Sequence, residues 1–159
     1  MKKTISVLAM CFFLVFSLTA CGDAGSDYLE GNLQFDGTIA GIYASDWERD
    51  DAKDNTPYSL YLDGKGKFEA LMKEDSTEKV TGQYSIELYP ETEWRDDSTV
   101  CDDSVEQGVL TLVFDENVYG TKEYEYFLEE YEGDYHVYFY FGGKGAYDDV
   151  DVGVCFSIE

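Results

Sequence analysis

The sequence is poor in positive charge. Its 159 residues hold 11 Lys and Arg against 34 Asp and Glu, a formal net charge of −23. A chain this acidic has no basic face for nucleic acid or anionic lipid headgroups, so no nucleic-acid partner is expected. Histidine is scarcer still, with His136 alone. Any Ser–His or Cys–His scheme must run through that residue, and no Gly-x-Ser-x-Gly elbow accompanies it. Two of the four cysteines, Cys11 and Cys21, lie near the N-terminus. The other two with one His cannot build a closed zinc site, which needs four N or S ligands. No segment sustains a helical period of useful length. Disorder does not follow from the acidity. Disordered acidic chains are poor in aromatics, and this one holds 14 Tyr and 10 Phe.

What is present begins at the N-terminus. Lys2 and Lys3 precede an uncharged, mostly apolar run from Ile5 to Leu18, closed by Leu18-Thr19-Ala20-Cys21. The run is shorter than the roughly 20 apolar residues of a spanning helix and is followed at once by Gly22 and Asp23. It has the n-region and h-region of a signal peptide. The closing four residues resemble the lipobox of a bacterial lipoprotein. The resemblance implies that Cys21 becomes the first mature residue and carries lipid on its sulfur. The expected location is then the outer, extracytoplasmic face of a cell membrane, as in a Gram-positive bacterium. Residues 1–20 read as the signal peptide. Residues 21–36, with Gly, Asp, Ser and Asn, read as a flexible tether. Residues 37–159 read as one β-domain, a length that suits a single core.

The period from residue 37 onward is close to two. Tyr58, Leu60 and Leu62 alternate, Asp63-Gly64-Lys65-Gly66 supplies a turn, and Phe68, Ala70 and Met72 return, which predicts a hairpin. Further strands are expected around Val80 to Leu88, Leu110 to Phe114, Tyr124 to Leu128, Tyr135 to Phe141 and Val150 to Ile158, with one in front over 38–43. Residues 46–55 suit a short helix or an acidic loop. The fold class is all-β: about eight mostly antiparallel strands, as an up-and-down barrel or, alternatively, a β-sandwich. At Gly41-Ile42-Tyr43, the Asp63–Phe68 hairpin and Gly82-Gln83-Tyr84-Ser85-Ile86, the chain resembles small lipocalin-like lipoproteins. Tyr43 stands where that family's opening strand has Trp. The resemblance implies a barrel and names no ligand.

Few residues carry recognisable chemistry. In an oxidising location Cys101 and Cys155 form an even pair, and a disulfide between them is expected. The acidic cluster with Asp50, Asp51 and Asp54 offers weak calcium candidates. Calcium wants six to eight oxygens, and no EF-hand array is present. No metal and no cofactor are expected with any definiteness. The long connection over 90–107 carries Trp94, Arg95 and Cys101. Trp94, with Tyr138 and Tyr140 on one face of an aromatic strand, forms a candidate binding surface.

The expectation is a non-enzymatic, lipid-anchored binding module, its partners the membrane through Cys21 and a small ligand or a protein. One form is a carrier of a small apolar ligand in a barrel cavity; another is a protein-interaction or envelope-associated module with a filled barrel. A carboxylate-based hydrolase is the remaining reading. A cavity lined by Tyr84, Phe114 and Phe139 would favour the carrier.

Overall fold

The computed structural model describes residues 26, 28–40, 44–95, 104–142 and 151–159. Eight strands follow one another: β1 (Gly31–Ala40), β2 (Ser59–Leu62), β3 (Lys67–Leu71), β4 (Val80–Leu88), β5 (Ser104–Phe114), β6 (Thr121–Tyr131), β7 (Asp134–Gly142) and β8 (Asp151–Ile158). Each pairs antiparallel with the next, and β8 pairs with β1. The sheet is therefore a closed up-and-down barrel, not a sandwich. Closure leaves no strand edge open to another chain.

The alternation explains the wall. Leu60, Leu62, Phe68, Ala70, Leu110, Leu112 and Phe114 are buried inside, while Tyr61, Glu69 and Val113 between them are exposed. The hairpin turn forms as expected. Gly64 and Gly66 take φ of 68° and 87°, where a Cβ would be strained, and the Asp63 carboxylate accepts N–H bonds from Lys65 (2.7 Å) and Lys67 (2.8 Å). Slight burial pushes the Asp63 carboxyl up, but the amides of Lys67 and Lys65 outweigh it and hold it below its usual value.

Both mouths are stopped. At one end lies the helix α1 (Asp46–Asp54), opened by a capping box in which Ser45 and Glu48 exchange hydrogen bonds. The Ser45 hydroxyl and amide hold the Glu48 carboxyl below its usual value. Ala52 of this helix is fully buried, and the Tyr124 hydroxyl donates to the Asn55 carbonyl at 2.8 Å. At the other end, where β1 begins and β8 finishes, Ser26 and Leu29 are buried beneath the chain entry. The Ser26 hydroxyl donates to Glu106 Oε1 at 2.6 Å, and the Tyr126 hydroxyl donates to the same oxygen at 2.8 Å. Glu106 is thus a buried carboxylate with two short donors, as such a group requires.

The tether expected over 21–36 is shorter than that. Residues 31–36 already belong to β1, because Leu33 and Phe35 turn into the core while Asn32 stays exposed. The first strand accordingly precedes the expected 38–43. The connection expected over 90–107 is also curtailed, since β5 starts at Ser104 and Glu106, Gln107 and Gly108 are buried. A short 3-10 turn, Glu91–Glu93, occupies its first part. Cys21 with its lipobox, Gly41-Ile42-Tyr43 and Cys101 lie outside the described residues. Among the described residues, no helix is long and apolar enough to cross a membrane.

Candidate functional site

The outer wall divides into two unlike halves. Over β2 to β5 the outward residues stand in solvent, as Tyr61, Glu69 and Val113 show. Over β5 to β8 the register aligns Gln107, Phe127, Tyr138 and Cys155 in one row. This row is covered in part by residues 94 and 95, which follow the 3-10 turn. The Gln107 amide acts as a surrogate peptide group: its Oε1 accepts from the Arg95 amide and its Nε2 donates to the Arg95 carbonyl, both at 2.8 Å. The Arg95 guanidinium then lies over the Tyr140 ring at 4.9 Å, donates to its hydroxyl at 2.8 Å and approaches Glu125 at 3.6 Å.

Trp94, Tyr138 and Tyr140 are thereby brought to one side of the barrel, but not as an open aromatic platform. Tyr140 is buried with Phe127 in a small cluster outside the main core, and Tyr138 packs against it. The Trp94 indole N–H is turned to the Tyr89 carbonyl at 3.0 Å. A sticky face of bare rings therefore does not form; Arg95 and Gln107 close it.

Beside this cluster, three strands bring together a group that the sequence did not announce. Asp36 of β1, His136 of β7 and Cys155 of β8 place one ligand atom each within 4.8 Å of one another. His136 Nδ1 lies 3.9 Å from Asp36 Oδ2. Cys155 is a free, buried thiol. The disulfide expected with Cys101 is thus not found; Cys155 instead lies within 4.8 Å of Asp36 and opposite Tyr138 in the register. Burial, then the nearby Asp36 carboxylate, push the Cys155 thiol well above its usual value. Burial, then the contact with Cys155, push Tyr138 up likewise. A thiol so held is a poor nucleophile at neutral pH.

The weak calcium candidates are not assembled. Asp50, Asp51 and Asp54 lie on α1, and among the described residues they do not form a group at mutual ligand distance. Among the described residues, Asp36, His136 and Cys155 are the one group of three such side chains at mutual ligand distance.

The interior is occupied. Tyr124, Phe139 and Phe156 stack in succession with centroids 5.0 and 4.9 Å apart, and Phe68, Phe114 and Tyr119 form a second run at 5.0 and 5.2 Å. A cleft of about 480 Å³ opens at the helix end, lined by Phe35, Lys53, Tyr58, Met72 and Lys73 among others. It does not reach Tyr84, Phe114 or Phe139. Comparisons with profiles of known protein families, with curated proteins and with solved structures found no significant match.

Proposed function

We propose that this protein is a lipid-anchored, non-enzymatic binding module on the outer face of a bacterial membrane, with a filled barrel that works through its outer surface. The supporting observation is the packing of the interior by two aromatic runs, with α1 over one mouth and the Ser26–Glu106–Tyr126 bonds across the other. Space already taken by Tyr124, Phe139 and Phe156 is not available to an apolar cargo, which favours the interaction or envelope-associated form over the carrier. The anchor rests on the lipobox at Cys21. If Cys21 is the anchored residue, five residues to the buried Ser26 span at most about 17 Å, so the barrel rides close to the bilayer.

Two measurements test this. Titration with an apolar fluorescent probe or a fatty acid should give no saturable, stoichiometric binding; one tight site per chain would establish the carrier instead. Cys21→Ser should lose lipid labelling and leave the membrane fraction. A variant that stays membrane-bound would overturn the anchor without touching the filled-barrel argument.

A further inference from the structure

We infer that Asp36, His136 and Cys155 form a binding site for a zinc-class divalent cation on the outer wall of the barrel. The inference is independent of the membrane anchor. It begins with the donor set. One thiolate, one imidazole and one carboxylate are the ligands that zinc and its near neighbours share, and calcium or magnesium would not take the sulfur. The three come from three adjacent strands, β7, β8 and β1, at the place where the closing seam of the barrel lies. His136 and Cys155 are held in the hydrogen-bond ladder, and Asp36 in the bulge of β1 against β8.

The spacing suits the ion. Metal–ligand bonds of roughly 2.0–2.3 Å in a tetrahedron put donor atoms about 3.3–3.8 Å apart. The observed atoms lie within 4.8 Å of one another, and the Asp36–His136 pair is already at 3.9 Å. Rotation of the partly exposed Asp36 and His136 side chains covers the difference without moving the backbone.

The surroundings orient the donors as a metal site requires. Asp36 sits where the β1–β8 register shifts, and Gly37 beside it takes φ of 92°. The Thr38 amide donates to Asp36 Oδ1 at 2.7 Å, which leaves Oδ2 turned to His136. Tyr138 lies opposite Cys155 in the β7–β8 register and shares its outward face. Water completes the fourth position. Binding displaces the Cys155 proton to solvent.

The test uses cobalt(II) as a spectroscopic stand-in on the purified chain. One equivalent should bring a thiolate-to-metal charge-transfer band and intense visible ligand-field bands. Zinc should compete the cobalt out. Cys155→Ser should abolish the charge-transfer band, and His136→Ala or Asp36→Asn should weaken binding at least tenfold. Cys101→Ser should leave the spectrum intact. Asp36 and His136 are partly exposed, so their variants remain informative if Cys155→Ser does not fold, and circular dichroism checks each. Binding without a charge-transfer band, or binding indifferent to His136→Ala and Asp36→Asn, would mean diffuse attraction to an acidic surface and would overturn the site. So would a Cys155 that proves disulfide-bonded in the protein isolated from its host.

Discussion

Phe139→Ala should be among the most damaging substitutions in the molecule. Phe139 is fully buried on β7, facing inward between Tyr124 at 5.0 Å and Phe156 at 4.9 Å. Truncating a buried Phe costs about 3–5 kcal/mol through lost transfer energy and the cavity left behind. Each aromatic pair adds roughly 0.5–1.5 kcal/mol beyond area burial, and two are lost here. A closed ladder on both sides of β7 keeps the walls from collapsing inward, so the cost stays clear of the lower end of the range, at about 4 kcal/mol. Domains have about 5–15 kcal/mol in all. The assay is urea denaturation followed by tyrosine and tryptophan fluorescence. The midpoint should fall sharply while the slope stays constant, and the melting temperature should drop by roughly 10 °C. The same variant should gain a dry hole that takes up xenon or benzene, which the parent does not. A loss below about 1 kcal/mol, or equal probe uptake by the parent, would refute the claim that the barrel is filled. Val113→Ala, half exposed on the outer wall, is the control and should move stability by no more than about 0.5 kcal/mol.

Gly82→Ala should destabilise by about 1–3 kcal/mol, although Ala in a strand is ordinarily the better residue. Its new methyl would overlap the Val113 carbonyl oxygen and stand 2.6 Å from the Phe68 ring; a neutral or positive change in thermal midpoint would show that β4 can shift. Gln107→Ala removes both hydrogen bonds to Arg95, so trypsin should cut after Arg95 several times faster than in the parent, as mapped by mass spectrometry; unchanged cleavage would show that Gln107 does not hold the segment. Burial holds the hydroxyls of Tyr124 and Tyr126 protonated far above the ordinary 10.0. Both stay neutral in the folded chain while the unfolded chain ionises, so their contribution is whole below about pH 10 and is lost as pH climbs above it. The urea midpoint should be flat through neutral pH and fall above about pH 10, with part of the tyrosinate absorbance arriving only on unfolding; a midpoint steady to about pH 12 would contradict this.

Much of the wall was legible because burial in a barrel follows a period of two. Leu60, Leu62, Phe68, Ala70, Leu110, Leu112 and Phe114 alternate in the sequence as they do in the structure. The Asp63–Gly66 turn declared itself through its glycines. Strand β1 did not, because Leu33 and Phe35 alternate with polar residues in a stretch whose composition looks like linker. Two members of the Asp36–His136–Cys155 group were within reach. The β7–β8 hairpin pairs Tyr138 with Cys155 and His136 with Ser157, so one outward face could have been drawn from spacing alone. Asp36 could not, since its place depends on β1 closing against β8, a contact between distant parts of the chain. Ser26 and Glu106 were equally silent. Nothing in two ordinary polar residues tells that they meet across 80 positions inside a mouth.

The pairing of β1 with β8 also has a bearing on time. Leu33 lies opposite Ile158, and the Glu159 amide donates to the Asn32 carbonyl at 2.9 Å. The first strand to leave the ribosome therefore waits for the last before its second ladder can form. Until then the nascent chain is an open ribbon without Val154 and Phe156, two of its fully buried residues. Contacts of such long sequence separation form late and slowly. A polypeptide that acquires its seal only once β8 has been made stays an open, threadable ribbon until then.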